Sequence, residues 1–421
     1  MKILVANLGS TSFKYRLFEL PHTGSSMTAG LREATSLETE LARGGVERIG
    51  EARSRVYASC QAGATALEAL MPVPDHAVAL QAALTQLTGE GGPLKRIDEV
   101  AAIGFKAVHG GRVSGVVRVS PDVLAAMEEV SQVAPAHNPP YVRAMRLMAE
   151  RLPGVPLVAA FETGFHTTIP DRNSFYAVPK EWIEKYHVRR WGFHGASHRF
   201  VSNRLLELVQ KRPLRTITCH LGGSSSICWT LDGQSVGTSM GMSPQSGLPQ
   251  NNRAGDFDPF ALLHLAKATG KSFEELLADL SAKSGLAGMS GTSGDMRDLE
   301  SAAAAGNARA QLAIDVFVAS IRHWLGAGIV ELGGIDAIAF TGGIGENSPL
   351  TRAAVTRDLT ELGIEIDSDA NTATGSGERQ IGVFQSITAR PRVALWVIPT
   401  NEELVVARQT RDLLAAEMKG N

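Results

Sequence analysis

The chain has 421 residues and a formal net charge of −2, and this length allows two domains, each with its own core. Hydrophobic residues make up 44% of it and charged residues 20%, a balance typical of a soluble globular enzyme. The near-neutral charge provides no overall attraction for nucleic acid or an anionic membrane. The three cysteines show no CxxC spacing, and their odd number excludes a complete disulfide framework.

The expected location follows from two further features of the sequence. The apolar start is too short for a secretory signal, and no run of about 18 apolar residues indicates a membrane span. We therefore expect a cytoplasmic protein whose partners are small molecules, with no nucleic acid and no membrane among them. Cys219 and Cys228 lie in strand-like segments and are predicted to be small core residues.

The first half of the chain alternates predicted strands and helices. Residues 1–20 are predicted to form a β-hairpin and residues 21–38 a surface loop. The elements that follow are a helix at 78–87, a strand at 101–105, helices at 123–133 and 141–151, and a strand at 157–161 that ends at Glu162. Prolines between the two later helices prevent helix continuation and indicate an irregular loop that carries His137.

The second half repeats the opening pattern. Residues 216–219 form a predicted strand before a glycine–serine turn, and residues 227–229 form the return strand. A core helix is predicted at 311–325, with Leu312, Val316, Ile321 and Leu325 at helical spacing. The remaining elements are a strand at 337–340, a loop at 341–347, a helix starting near Asn347–Ser348 with Pro349 in its first turn, a strand at 393–398, and a final helix capped by Asn401 or Thr400.

Two strand–turn–strand segments about 210 residues apart carry the main functional signal. One contains Asn7, Ser10 and Ser12, and the other contains His220, Gly222 and Gly223. Turns of this composition present N–H groups and hydroxyls that can cradle phosphate. A Rossmann site or a Walker loop would open into a helix, whereas these turns open into strands. The pattern predicts a duplicated α/β fold with a different nucleotide-binding architecture.

Nine ordered sequence blocks narrow the assignment. In chain order they are NLGSTSFKYRLF, APAHNPP, RRWGFHGASHRFVS, HLGGSSS, TSMGMSP, RAGDFDP, SGDMRD, FTGGIGENS and VIPTNEEL. Together they resemble the acetate kinase family from Asn7 to about Arg408. The resemblance implies two duplicated actin-like (ribonuclease H-like) domains with an interdomain nucleotide cleft: residues 1–164 plus 400–421, and residues 165–399 with the adenosine site.

The resemblance also implies a reaction and its cofactors. The reaction is reversible phosphoryl transfer from ATP to acetate, giving acetyl phosphate and ADP, with Mg²⁺ as the metal and Mn²⁺ as an alternative. A homodimer is implied as well. A carboxylate acceptor is already ionised at pH 7, so no general base is required. Catalysis then consists of holding the reactants in line and neutralising charge.

Residue by residue, the matching positions divide into four groups. The implied catalytic residues are Glu162, His194 and Arg253. The implied acyl-substrate residues are Lys106, Val108, Ala136, His137, Phe193 and Pro244. The implied nucleotide residues are Asn7, Ser10, Ser12, Lys14, His220, Gly222, Gly223, Asp295, Met296, Arg297, Gly342, Gly343, Ile344, Gly345 and Asn347. Asn7 and Glu402 are the implied metal residues. A metal pair of His194 and His198 is the alternative at i, i+4 spacing, although no HExxH order accompanies it.

Several positions depart from the family pattern. Lys106 stands where arginine is usual, Glu162 where aspartate is usual, Gly223 where asparagine is usual and Ala136 where leucine is favoured. Lys106, Glu162 and Gly223 are expected near the acyl and phosphoryl positions and away from the adenosine loop. ATP binding should then be retained while the acyl substrate differs, so a longer acid such as propionate is an alternative. The same superfold also allows a non-catalytic nucleotide-binding protein, or a sugar or glycerol kinase.

Overall fold

The computed structural model describes residues 1–9, 11–22, 38–60, 67–135, 137–383 and 392–420. Two compact units divide the chain. The first contains Met1–Gly164 and Asn401–Asn421, and the second contains Phe165–Thr400. Each unit is built around one sheet.

The first unit holds an eight-stranded sheet. Its strands are β1 (Lys2–Leu8), β2 (Ser12–Glu19), β3 (Thr39–Glu47), β4 (Ser54–Cys60), β5 (Leu67–Met71), β6 (Val100–Ala107), β7 (Val116–Arg118) and β8 (Leu157–Phe161). Their order across the sheet is β5-β4-β3-β2-β1-β6-β8-β7. Strands β1, β6 and β8 run parallel, whereas β2 to β5 form antiparallel pairs. The predicted hairpin at 1–20 is confirmed, while most of the predicted loop at 21–38 lies outside the described residues.

The second unit holds a six-stranded sheet. Its strands are β9 (Arg215–His220), β10 (Ser226–Leu231), β11 (Gln234–Thr238), β12 (Ala337–Thr341), β13 (Arg379–Gln380) and β14 (Ala394–Val397). Their order is β11-β10-β9-β12-β14-β13, with β9, β12 and β14 parallel. An antiparallel meander followed by two parallel strands therefore occurs in both units, as β3-β2-β1-β6-β8 and as β11-β10-β9-β12-β14. This is the duplication that the repeated turns predicted.

Helices join and cover these strands. Those of the first unit are α1 (His76–Thr88), α2 (Pro121–Glu129), α3 (Asn138–Arg151) and α15 (Glu402–Gly420). Those of the second unit are α4 (Asp171–Ser174), α5 (Lys180–Glu184), α6 (Gly195–Val209), α7 (Ala261–Thr269), α8 (Phe273–Ala282), α9 (Gly285–Ser290), α10 (Met296–Ala304), α11 (Ala308–Glu331), α12 (Gly342–Asn347), α13 (Pro349–Thr356) and α14 (Ser368–Thr372). Short 3₁₀ helices lie at Ile97–Glu99, Glu162–Thr168 and Thr360–Leu362.

Helix α15 packs on the sheet of the first unit. Val406 and Ala407 are fully buried against Ile3 and Val5 of β1. Gly104 of β6 permits this approach, because a Cβ there would lie 2.5 Å from Oγ1 of Thr410. The helix begins where predicted, since Asn401 Oδ1 accepts a hydrogen bond from the Leu404 N–H at 3.1 Å.

Two predictions about the second unit need correction. In α11 the buried face carries Phe317, Ile321 and Leu325, whereas Leu312 is 54% exposed and Val316 36% exposed. The 311–325 pattern therefore located the helix but assigned two wrong residues to its buried face. The predicted loop at 341–347 is also wrong, because Gly342–Asn347 forms a short helix. The helix after it begins as predicted, with Ser348 as its N-cap and Pro349 in its first turn.

Helix α11 is also the only helix among the described residues that is long and apolar enough to cross a membrane. Core helices satisfy the same criterion of length and composition. Its side chains Phe317, Ile321 and Leu325 belong to the core of the second unit, together with Ile338 and Phe340 of β12. Cys219 and Cys228 are fully buried, which confirms their predicted role as core residues.

Candidate active site

The first predicted phosphate turn joins β1 to β2. The Gly9 N–H donates to the Ser12 carbonyl at 2.8 Å and closes the turn. Asn7 Oδ1 accepts a hydrogen bond from the Tyr141 hydroxyl at 2.9 Å, so helix α3 orients this side chain. Lys14 is exposed on β2, and its Nζ lies 3.5 Å from Oε1 of Glu47. The described residues omit the other predicted member of the turn, Ser10.

Buried charges surround Lys106 at the end of β6. Its Nζ lies 2.5 Å from Oε2 of Glu402, the first residue of α15. Their side chains are 21% and 13% exposed, and Glu162 is 5% exposed. Burial lowers the pKa of the Lys106 ammonium, but the charges of Glu402 and Glu162 outweigh this effect and hold the pKa above its usual value. Lys106 is therefore a stable cation beside two acids.

Tyr141 connects this charge cluster with the phosphate turn. Its hydroxyl donates to Asn7 and accepts from the Leu8 N–H at 3.2 Å. Burial raises the pKa of Tyr141 to about 12, so the hydroxyl keeps its proton. The structure thus brings Asn7, Lys106, Glu162 and Glu402 together through a tyrosine that the sequence analysis did not single out.

Other predicted acyl residues of the first unit lie at element ends. Val108 directly follows β6, and His137 is the N-cap residue of α3. Both are half-buried. Ala136 lies outside the described residues.

A cavity of about 630 Å³ in the second unit gathers most predicted nucleotide residues. Those that line it are Gly222, Gly223, Asp295, Met296, Arg297, Gly343, Ile344 and Asn347. Gly342 and Gly345 are buried, and His220 stacks on His194. Gly223 thus lines the same cavity as the predicted adenosine residues.

Backbone hydrogen bonds hold the two glycine turns of this cavity together. The Leu221 carbonyl accepts from the N–H groups of Ile344 and Gly345 at 2.8 and 3.0 Å. Gly342 has φ of +78°, and a Cβ there would lie 2.7 Å from the same carbonyl oxygen. Glycine is therefore required at residue 342 for the turns to meet.

Charged and polar side chains edge the same cavity. Asp295 caps helix α10 and receives two bonds from the Arg297 guanidinium, at 3.0 and 2.6 Å. These bonds lower the pKa of Asp295 to about 2. Sequence reasoning missed three lining residues, Asn251, Glu300 and Ser348. The Asn251–Asn252 pair lies between two of the quoted sequence blocks and belongs to neither of them.

Arg253 lies in a loop near the second glycine turn. Its Nη1 donates to Gln250 Oε1 at 2.9 Å, and to Ser224 Oγ and the Pro244 carbonyl at 3.4 Å each. Burial lowers the pKa of this guanidinium, which nevertheless stays charged at neutral pH. Among the described residues its hydrogen-bond acceptors are all neutral, so its charge is not neutralised by an acid and can act on an anion.

His194 is held in an unusual backbone conformation. Its φ is +56°, in the left-handed region, immediately before helix α6. Non-glycine residues rarely adopt this region, and such strain is frequent at functional sites. The ring stacks on His220 with centroids 4.3 Å apart, and Nδ1 lies 2.8 Å from Ser226 Oγ.

Neighbouring groups complete the surroundings of His194. His198 contacts Thr218 and Ser226, which are hydroxyl residues. Within the described part of the chain no cluster of three or more His, Cys, Asp or Glu residues could hold a metal. Phe193 is 2% exposed, and its carbonyl accepts from Nε2 of His166 at 3.0 Å. Pro244 is buried next to Arg253.

Comparisons with known proteins identify the family of the chain. The model of the acetokinase family matches residues 2–408. The acetate kinase of Shouchella clausii is 40% identical over 412 residues, covering 97% of this chain and 98% of its own. The crystal structure of Porphyromonas gingivalis acetate kinase has a TM-score of 0.84 and 35% identity, covering 98% of this chain and 99% of its own. A propionate kinase from Francisella tularensis has a TM-score of 0.83 and 30% identity, covering 97% and 98%.

The duplicated sheets and the glycine turns at their strand ends define an ATP-using phosphotransferase of the actin-like superfold. Within that class, the acceptor is a carboxyl group. The chain belongs to the acetokinase family.

Proposed function

We propose that this enzyme catalyses the reversible, Mg²⁺-dependent transfer of the γ-phosphoryl group of ATP to acetate. The observation that carries the proposal is the pairing, in one unit, of a cavity of about 630 Å³ between two glycine turns with a half-buried arginine bonded to neutral acceptors. Arg253 can offset the charge of the transferring phosphoryl group with its planar fork. His194 donates a further hydrogen bond to that group.

The remaining predicted residues bind the two substrates, the nucleotide and the acceptor carboxylate. Because glycine has no side chain, the backbone at Gly222, Gly223 and Gly343 can lie close to the nucleotide. Asp295 and Arg297 lie at the edge of its adenosine. Lys106 supplies positive charge to the acceptor carboxylate. Because the acetate oxygen is already ionised, positioning and charge neutralisation account for the catalysis. We also propose that the two units are domains with boundaries at 164/165 and 399/400.

Asn7 and Glu402 provide an oxygen donor set that suits Mg²⁺. Mg²⁺ binds through one or two carboxylates, several waters and substrate phosphates, and does not need an all-protein cage. The carboxylate of Glu402 is held by Lys106, and the amide of Asn7 is held by Tyr141, so both oxygens are oriented. When bound, the ion would screen the phosphate charge; Mn²⁺ has similar ligand preferences.

A hydroxylamine trap tests the activity. With ATP, Mg²⁺ and acetate, the enzyme should form an acyl phosphate that hydroxylamine converts to a hydroxamate, and Arg253→Ala should reduce the rate by at least 10²-fold. A non-catalytic nucleotide-binding protein would bind ATP without forming hydroxamate. That result would contradict the proposal.

The preferred acid is tested by a substrate series. The departures at Lys106, Glu162 and Ala136 favour a longer acid as the second candidate, and the Francisella tularensis propionate kinase is a structural relative. Comparing kcat/KM for acetate, propionate and butyrate separates the two. A strict acetate preference would remove the longer-acid candidate.

We further propose a homodimer, formed in the cytoplasm, and the second unit offers a surface for it. Helix α7 buries none of its residues, and the large apolar side chains Phe260, Leu263, Phe273 and Leu277 are between 47% and 75% exposed. An apolar face of this kind is a common mark of a protein interface. Light scattering should give twice the 44.7 kDa chain mass, and Leu263→Glu should shift it toward the monomer.

A further inference from the structure

The side-chain amide of Asn251 lies against the second glycine turn, in the cavity of the second unit. A Cβ at residue 223 would have three atoms of this amide as its nearest neighbours, Nδ2 at 3.4 Å, Cγ at 3.7 Å and Oδ1 at 3.9 Å. The Asn251 amide therefore occupies the space toward which a side chain at residue 223 would point. Residue 223 is also the position at which the acetate kinase family usually has asparagine, so a carboxamide missing from one residue is present on its neighbour in space.

The backbone of Asn251 is fixed by three neighbouring segments. Its N–H donates to the Gly223 carbonyl at 3.2 Å, and its carbonyl accepts from the Ala287 N–H of helix α9 at 2.8 Å. Gly294 packs so closely against that carbonyl that a Cβ at residue 294 would collide with it. The amide is thus carried by a backbone that is already held in place, which lowers the entropic cost of binding a ligand.

The side chain of Asn251 is available to a ligand. Within the part of the chain that the structure describes, no residue donates a hydrogen bond to its carboxamide or accepts one from it. Asn251 is half-buried and lines the cavity, so its polar atoms can be reached from there. The amide nitrogen carries two N–H donors, and a hydrogen bond from such a donor to an anionic oxygen is stronger than one to a neutral acceptor.

Two acids indicate which part of a nucleotide lies beside Asn251. Asp295, the N-cap of helix α10, and Glu300 within that helix both line the cavity. Carboxylates repel phosphate oxygens, whereas they accept hydrogen bonds from ribose hydroxyls. The phosphate groups are therefore favoured at the glycine turn, where the Asn251 amide lies, and the nucleoside is favoured beside α10.

We propose that Asn251 is a nucleotide-binding residue whose side-chain N–H donates to a phosphate oxygen, in place of a side chain at residue 223. The inference rests on the proposed function, which supplies ATP and ADP as the ligands. The Asn251 amide adds one directed hydrogen bond to those that the backbone of the glycine turn provides. A bond of this kind contributes to phosphate binding and not to adenosine binding, and this difference makes the proposal testable.

The first test compares two neighbouring asparagines by titration calorimetry. With Mg²⁺ and without acetate, Asn251→Ala should weaken the binding of ADP about 10-fold and change the binding of adenosine by less than about 2-fold. The matched control is Asn252→Ala, because Asn252 is the next residue in the same loop and is exposed. This control should bind both ligands as the wild-type enzyme does.

The second test moves the carboxamide back to residue 223. The φ of Gly223 lies outside the left-handed region, so asparagine can be placed there. The double variant Gly223→Asn/Asn251→Ala should bind ADP within about 3-fold of the wild-type enzyme. Asn251→Asp keeps the size of the side chain and replaces the donor with a carboxylate. In buffer without metal, where the new carboxylate cannot bind Mg²⁺, it should weaken ADP binding by at least about 10-fold.

The outcomes of these titrations are distinct. Equal losses of ADP and adenosine affinity in Asn251→Ala, or the same loss in Asn252→Ala, would show a general response of the loop and would overturn the proposal. A double variant that binds ADP no better than Asn251→Ala would contradict the exchange of positions. If Asn251→Ala does not fold, Asn251→Asp decides, and unchanged ADP affinity in that variant refutes the proposal. Binding is measured without turnover, so an enzyme that binds ADP but forms no hydroxamate would contradict the proposed function alone.

Discussion

Removing the Lys106 ammonium should destabilise the first unit through the two acids left behind. The Lys106–Glu402 pair is 2.5 Å long, with side chains only 21% and 13% exposed. Breaking a buried pair by removing one partner costs about 3–5 kcal/mol, because the remaining buried charge loses its nearby opposite charge. Lys106→Met should therefore lose about that much, and the Lys106→Met/Glu402→Gln double variant should recover at least about 1.5 kcal/mol of the loss.

The assay must report on the first unit. All five tryptophans lie between residues 165 and 400, so their fluorescence follows the second unit. Hydrogen exchange of peptides covering β6 and α15, measured by mass spectrometry, is suitable, and a loss of about 3 kcal/mol corresponds to exchange faster by about 10²-fold. The pKa of Lys106 is higher in the folded protein than its unfolded value of 10.5. The Lys106 charge therefore stabilises the fold fully below pH 10.5, and this stabilisation is lost only as the pH rises through the higher folded pKa.

A second pair on the same helix serves as the control. Arg118 and Glu417 join β7 to α15 with side chains 47% and 35% exposed, and a double-mutant cycle there should give at most about 1 kcal/mol. The coupling energy from the double-mutant cycle of Lys106 and Glu402 should be the same at pH 6 and pH 9. A coupling below about 0.5 kcal/mol would show that the pair behaves like an exposed one and would refute the reasoning.

Three further predictions concern the second unit. Arg253→Lys keeps the charge but loses the planar fork, so kcat/KM for acetate should fall by about 10²-fold in the hydroxamate assay, and an unchanged value would exclude two-point contact. Gly223→Asn should leave the melting curve unchanged, because a Cβ there meets Asn251 Nδ2 at an ordinary 3.4 Å; a lower midpoint would show a clash. Burial lowers the pKa of His166 from 6.5 to about 4. The neutral ring therefore contributes about 3 kcal/mol to folding stability above pH 6.5, and this contribution is lost as the pH falls through 4. His166→Asn should flatten that part of the profile of stability against pH.

Local signals explain what could be predicted from the sequence. The strand–turn–strand repeats, the Ser348–Pro349 helix start and the Asn401 cap depend on neighbouring residues alone, and the structure contains all of them. The 341–347 segment was predicted as a loop because of its glycines. In the structure it is a short helix, and two of its N–H groups, those of Ile344 and Gly345, bond the Leu221 carbonyl about 120 residues away in the chain, a contact that no local pattern shows.

Burial likewise depends on distant partners. Helix α11 has apolar residues on more than one face, and only packing against the sheet decides that Phe317 is buried and Leu312 is not. Asn251 lines the cavity of the second unit and Tyr141 contacts Asn7 in the first unit, and both come from segments with no recognisable phosphate motif.

Three of the departures from the family pattern, at residues 106, 162 and 223, have neighbours that offset them. At residue 106 lysine has a shorter reach than arginine, while at residue 162 glutamate extends one carbon further than aspartate, and the charge of Glu162 is one of those that raise the Lys106 pKa. The shorter lysine lengthens the distance between ammonium and carboxylate, and the longer glutamate shortens it. At residue 223 the missing side chain is offset by Asn251, whose amide nitrogen lies 3.4 Å from the Cβ position. Loss of function would produce changes without such partners, so this pairing favours an active enzyme over a non-catalytic nucleotide-binding protein.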